Sequence, residues 1–441
     1  MAMNRRCHRA WLRLKRSVLM PAVGLAASSV AAVDLTVTSL NTSGQLTWTN
    51  AFTNGVCTVE RAATVAGPWL PAQNVFTTNA AGQARVATGP GLGFYRLLAA
   101  DLSPTPAGFT NLLHAYGVLE TIAGKGEVGL DGSNAWRSSF EGGFATNANL
   151  SRPHFAMADD AGNVFIVDKD SHSVLKVTPD GRIHTVAGTH VAGDDGDLPA
   201  PGLRSRLNFP NGLWVRGDGT VYILDTGNSK VRRLDTNGVV TTLFTVNSGI
   251  TGGRGLWVKS DESVTYFCSG SDLRKRVPGS TTTLNNHFTD LGNIVVTAHG
   301  DIMATDRGDH RVFLVDTAGG NSGSRTRLAG NGGTNTVVDG ALALTNSLYG
   351  VRGVWPFPTG GFLLATHEGC QLLYLDEAGA LYVLLSGQPA NVHAGDGQWF
   401  YAPGFKIGEV RSVTMDRAGN FLITENDFGY VRRIRFQTMP P

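Results

Sequence analysis

Residues 210–234 run Pro210-Asn211-Gly212-Leu213-Trp214-Val215, a turn at Gly217-Asp218-Gly219, Val221-Tyr222-Ile223-Leu224-Asp225, Asn228, and Lys230-Val231-Arg232-Arg233-Leu234. Short apolar runs bounded by Gly, Asp and Asn specify brief strands joined by tight turns. The same order of residues recurs upstream as Arg152-Pro153-His154, Asp160-Ala161-Gly162-Asn163, Val164-Phe165-Ile166-Val167-Asp168 and Ser173-Val174-Leu175-Lys176-Val177. Six copies can be followed by the residue expected to end each second strand: Asp168, Asp225, Cys268, Asp306, His367 and Glu425. A unit this small cannot bury both faces alone, so its repetition predicts blades or coils stacked on a common core.

The copies do not all end alike. Leu119-Glu120-Thr121-Ile122-Ala123-Gly124 looks like the last strand of a repeat without its beginning, whereas the final copy stops at Arg432-Arg433-Ile434-Arg435-Phe436. A ring in which the 119–124 strand completes the last blade explains both, and closure leaves no large sheet edge exposed. The expected fold class is therefore all-β: a closed ring of blades over 119–437 with a small β-sandwich before it.

The sandwich is assigned to 33–101. Leu35-Thr36-Val37-Thr38 and Gln45-Leu46-Thr47-Trp48-Thr49 alternate with period two, and further strands are expected at 57–61, 84–87 and 94–98. Ser103-Pro104-Thr105-Pro106-Ala107-Gly108 lies in a linker assigned to 102–118, where two prolines oppose regular structure. The first 32 residues carry Arg5, Arg6, Arg9, Arg13, Lys15 and Arg16, then an apolar run from Val18 to Ala27 and small residues to Ala32. This pattern reads as a secretory signal, with an apolar run too short for a comfortable membrane span. The expected destination is secreted or periplasmic, with no membrane span in the mature chain.

The whole chain has 37 basic and 35 acidic residues. Removing the six basic residues of the leader leaves 31 against 35, near −4, which argues against a nucleic-acid partner. Cys57, Cys268 and Cys370 then remain, an odd number in separate contexts. They read as small buried residues rather than a disulfide framework, with a 268–370 bridge left open.

Pro-Asn-Gly before an inner strand, Asp-Gly turns, an apolar run ending in Asp, and Asn-x-x-Val-Arg together resemble the NHL repeat. Loops running from Thr121-Ile122-Ala123-Gly124 to Asp131-Gly132, from Thr185-Val186-Ala187-Gly188 to Asp195-Gly196, and from Ala329-Gly330 to Asp339-Gly340 are similar to the inter-blade loops of bacterial members. The resemblance implies a six-bladed propeller of four-stranded blades. The 59–96 region, with Val59-Glu60-Arg61, Gly67-Pro68-Trp69 and Phe94-Tyr95-Arg96, resembles small fibronectin-like modules of secreted bacterial proteins.

Propellers tend to hold ligands where loops converge on one end of the channel. Aligning the copies places His154, Asn211, Arg254, Gly292, Arg352 and Arg411 in one ring at that mouth. Arginine suits bidentate recognition of carboxylate or phosphate, so this ring predicts an anion-binding mouth, unless each Arg is simply paired within the channel wall. The second-strand markers are expected to bond local turn backbone. Lyase relatives with a channel metal would need several mouth-facing histidines, and of His154, His299, His310 and His367 only His154 takes that position. Lactonase relatives use Glu, Asn and Asp around Ca²⁺, and Glu425 and Asn211 do not share one layer. Gly193-Asp194-Asp195-Gly196-Asp197 clusters carboxylates without the ligand spacing of a calcium loop and reads as a solvated turn.

The resulting expectation is a monomeric binding scaffold for a protein or carbohydrate ligand, with His154, Asn211, Arg254, Arg352 and Arg411 as ligand-binding residues. It has no metal ligands and no cofactor, a channel Ca²⁺ or Zn²⁺ being left open. The alternative is a propeller enzyme, a lyase or lactonase-like hydrolase, using the same mouth.

Overall fold

The computed structural model describes residues 8–13, 35–86, 93–102, 116–358, 360–389, 392–400 and 404–436. From Pro153 onward the chain builds antiparallel sheets in sequence order, each starting with an inner strand. These inner strands are Pro153–Ala158, Pro210–Val215, Leu256–Val258, Leu291–Val296, Val351–Pro356 and Val410–Met415. Each contacts the next, and Val410–Met415 returns to Pro153–Ala158, so six sheets close into a ring as propeller blades. The last sheet takes its outermost strand from Tyr116–Ala123, which pairs antiparallel with Tyr430–Phe436. It begins three residues before the stretch read as the orphan strand. Ala200–Pro201 adds a short fifth strand to the second sheet.

Second strands are buried along almost their whole length, and mostly apolar up to a polar last residue, because blades cover both of their faces. Ile166, Ile223, Phe267, Leu364 and Ile423 are all fully buried, and each such side chain contributes roughly 1.5–3 kcal/mol. Inner strands instead approach one another closely around the axis. An added Cβ on Gly212 would lie 2.0 Å from the Arg254 carbonyl oxygen, and one on Gly255 would lie 2.8 Å from the Ile294 nitrogen. Glycine at this position therefore lets neighbouring strands meet. Two residues further on, Trp214, Trp257 and Trp355 gather near the axis, with ring centroids 6.1–6.3 Å apart along the chain of contacts. The channel is thus packed below its upper mouth.

Strand ends correct the alignment of two blades. The second strand of the third blade is Thr265–Ser269 and that of the fifth is Phe362–Thr366. Ser269 and Thr366, not Cys268 and His367, are the equivalents of Asp168, Asp225, Asp306 and Glu425. A one-residue slip in a strand exchanges its faces. Cys268 accordingly faces the core, whereas Ser269 Oγ accepts the Thr251 N–H at 3.1 Å, a local bond of the kind the aspartates make.

Before the propeller, one sheet joins Gly55–Ala62, Leu70–Thr77 and Phe94–Asp101, and a second joins Thr36–Leu40, Gln45–Thr49 and Gly82–Arg85. Their buried faces enclose Trp48, Cys57, Val59, Leu46 and Leu97. Leu70–Thr77 is a strand absent from the sequence reading. It lies at a sheet edge, where a proline such as Pro71 is tolerated. Against the propeller, Asn74 N–H donates to the Ala418 carbonyl at 2.9 Å and Phe76 meets Phe357 edge-on at 4.6 Å. His8–Arg13, within the segment read as a leader, pairs with Phe94–Asp101, while the rest of that segment and positions 103–115 of the linker fall outside the described residues. Among the described residues no helix is long and apolar enough to cross a membrane.

Cys57, Cys268 and Cys370 are all free and buried, so the 268–370 bridge left open above does not form. Burial pushes each thiol up to about 12, which leaves them unreactive as nucleophiles.

Candidate ligand site at the channel mouth

A cavity of about 630 Å³ opens at the end of the channel where the inner strands begin. His154, Asn211, Arg254 and Arg411 line it, four of the five residues assigned to ligand binding. Arg352, the fifth, is absent from the lining but is 4% exposed and is repelled by Arg254 and Arg411.

These residues do not share one role. Asn211 spends its amide hydrogens on the Gly252 and Gly253 carbonyls at 2.5 and 2.9 Å, stapling the second blade to the entrance of the third. His154, 2% exposed, is held well below its ordinary pKa by burial and by Arg411, Arg254, Lys169 and Arg352. As a neutral ring it suits the 3.5 Å approach of Arg411 Nη1 to its Nε2, the proton then residing on Nδ1. Arg411 also reaches Asp427 at 3.3 Å.

Arg254 and Arg352 differ from the rest. Neither makes an ion pair among the described residues, and the buried Nε of Arg254 and the Nε and Nη1 of Arg352 have no hydrogen-bond partner there. Burial and the neighbouring guanidiniums pull Arg254 down to about 9 and Arg352 to about 7. A guanidinium normally holds its proton throughout, so the pull marks positive charge without a counter-ion. The nearby acids are engaged elsewhere. Arg307 pairs with Asp290 at 2.9 Å and with Glu368, and Thr305 Oγ1 donates to the Arg352 carbonyl at 2.7 Å, fixing its backbone.

Three carboxylates, Asp131, Glu409 and Asp427, also line the cavity. His367 Nε2 stands 3.0 Å from Glu409 and 3.2 Å from Asp427, and its Nδ1 is 3.3 Å from Glu368. Burial disfavours charge on His367, but bonds to Asp427, Glu368 and Glu409 override it and raise its pKa. Arg152 bonds Asp427 at 2.5 Å and Asp131 at 3.0 Å. His367, Glu409 and Asp427 present ligating atoms within 4.8 Å of one another and are the set that would hold a divalent cation. Arg152 and Arg411 already supply positive charge to the other oxygen of Asp427.

Sequence reasoning missed Arg307, His367 as a mouth residue, Glu368, Glu409 and Asp427. Four of these follow directly from second-strand ends: Arg307 and His367 one residue past, Glu368 and Asp427 two past. The slip in the fifth blade concealed that register. The Asp194–Asp197 loop also proves to be neither a cation site nor a merely solvated turn. Asp194 bonds Lys230 at 2.6 Å and Arg232 at 2.8 Å, Asp197 bonds Lys230 at 2.8 Å, and Asp195 bonds Arg206 at 2.6 Å. These cations pin the inter-blade loop to the second blade.

A second cavity, about 710 Å³, lies between the sandwich and the lower face of the propeller. Gln45 and Gln83 on its wall are exposed and bond one another at 3.0 Å, and it gathers no comparable set of uncompensated charges.

Fold and site together define an all-β, propeller-type protein with a charged mouth. No protein-family model matches the chain. It is similar to a Bacteroides thetaiotaomicron protein of unknown function, with TM-score 0.58 and 14% identity, covering 91% of this chain and 98% of that one. An auxiliary nutrient binding protein from Bacteroides ovatus superposes with TM-score 0.56 and 12% identity, covering 90% of this chain and 95% of that one. At these identities the likeness is one of fold. In sequence, the chain is 28% identical over 106 residues to protein suppressor of quenching 1, chloroplastic, from Arabidopsis thaliana, a match spanning 24% of this chain and 10% of that protein.

Proposed function

We propose that this protein is a secreted or periplasmic NHL-type propeller, preceded by a fibronectin-like module, that binds an anionic ligand at the channel mouth. The observation that carries the reading is the pair Arg254 and Arg352: buried guanidiniums without a counter-ion, beside an open cavity. Burying charge without a partner costs several kcal/mol, on the order found for isolated buried ions, and an incoming carboxylate or phosphate offsets that cost. The binding role calls for no cofactor. The nutrient-binding description of a protein with the same fold is consistent with it.

Thermal unfolding of the full chain in citrate, sulfate, phosphate and acetate, against chloride at matched ionic strength, tests the reading. Anion-specific stabilisation that disappears in Arg254→Ala supports it. Equal responses in wild type and variant contradict it.

One observation favours the second reading, a lyase or lactonase-like hydrolase: the convergence of His367, Glu409 and Asp427 at the cavity edge. Elemental analysis before and after chelation separates the two. A stoichiometric metal whose loss lowers stability supports the enzyme, and a metal-free, chelator-indifferent protein supports the binder.

A further inference from the structure

The mouth offers more than an anion needs. A bare inorganic anion would fill one corner of a cavity of about 630 Å³, a volume within the range of sites for drug-sized ligands. Arg254 and Arg411 line it together with three carboxylates, Asp131, Glu409 and Asp427. A bare anion makes no use of these carboxylates, but they are strong acceptors for hydroxyl hydrogens. Glu409 and Asp427 are each about four-fifths buried and held in place, Glu409 by His367 and Asp427 by His367, Arg152 and Arg411. Phe428 adds a partly exposed aromatic face to the same cavity. Such a ring can cover the C–H face of a compact polar molecule while its edges remain hydrogen-bonded.

Resting on the anion reading above, we propose that the mouth binds a sugar acid, a molecule with a single carboxylate and several hydroxyls. Arg254 and Arg411 receive the carboxylate, Glu409, Asp427 and Asp131 accept hydroxyl hydrogens, and Phe428 covers one face of the ring. The acids, which a bare anion would not use, then have a task. They select a polyhydroxylated anion over a simple one.

Calorimetric titration of the full chain with glucuronate, galacturonate and mannuronate, beside galactose, acetate and inorganic phosphate, tests the proposal. At least one uronate should bind about tenfold or more tighter than both galactose and acetate, since a hydrogen bond to a charged group contributes roughly 1.5–3 kcal/mol. Arg254→Ala should reduce uronate affinity by about tenfold or more on the same grounds. Glu409→Gln should weaken uronate binding while leaving acetate binding unchanged. If acetate or phosphate binds as tightly as every uronate, the sugar-acid proposal fails and the anion reading stands. If none of these anions binds, both fail.

Discussion

Arg432 and Arg352 are buried to nearly the same degree, at 0% and 4% exposure, yet they sit in opposite electrostatic situations. Arg432, in the third strand of the sixth blade, donates to the Lys406 and Ala394 carbonyls at 2.7 Å each and reaches Asp396 at 2.6 Å and Glu425 at 3.4 Å. Arg232 does the same in the second blade, bonding Asp225, Asp194, Thr242 and the Gly196 carbonyl. Arg352 has no ion-pair partner among the described residues. Burial alone therefore does not say whether an arginine's charge is compensated; its local partners do.

Mutation should expose this contrast most sharply at Arg432. Replacing it by Ala takes from the fully buried Glu425 its arginine partner and should cost roughly 3–5 kcal/mol, as breaking a buried pair does. Denaturant unfolding would read this as a large fall in midpoint, and an unchanged midpoint would remove the distinction between the two arginines. Gly212→Ala should cost less, about 1–3 kcal/mol, by forcing the second and third inner strands apart. It should also disturb Arg254, whose carbonyl oxygen the new methyl would meet. Arg352→Met should behave in the opposite sense, leaving stability unchanged or raising it, because it removes charge that nothing in the wall compensates.

A smaller effect is expected from pH. The folded-state pKa of His367 is raised, so its contribution to stability is fully present below the unfolded value of about 6.5 and is lost as pH rises through the folded value. His367→Asn should flatten that alkaline decline in a pH series of thermal midpoints. A variant that declines just as wild type does would mean that the carboxylates around His367 do not depend on its charge.

Much of this was legible in the chain itself. Apolar runs such as Val164–Val167 and Val221–Leu224 identified the central strands because blade stacking buries both of their faces. The mouth position of His154, Arg254 and Arg411 was visible because inner strands keep a common register from copy to copy. Arg352 occupied the right register too, but its depth behind the cavity wall depends on packing that no single strand encodes. The acidic half was hidden for a different reason. Glu368 follows the second strand of the fifth blade, where reading His367 as the strand end concealed the register, whereas Asp131 and Glu409 lie in segments between blades that the strand pattern does not reach. Placing Thr366 at the strand end puts His367 in line with Arg307 and Lys169, and Glu368 in line with Asp427. Asn211 shows the converse limit: its position was correctly read as the mouth, but its amide hydrogens are consumed by Gly252 and Gly253. Those carbonyls belong to another blade, and sequence spacing does not reveal them.

The most direct test of the central claim is the thermal midpoint of wild type and Arg254→Met, each with and without millimolar galacturonate or citrate. In anion-free buffer the variant should be at least as stable as wild type, and the stabilisation that anions confer on wild type should shrink or vanish in it. A variant that is markedly less stable without anion, and still responds to anion as wild type does, would show that Arg254 is satisfied within the wall and that the mouth is not built around uncompensated charge.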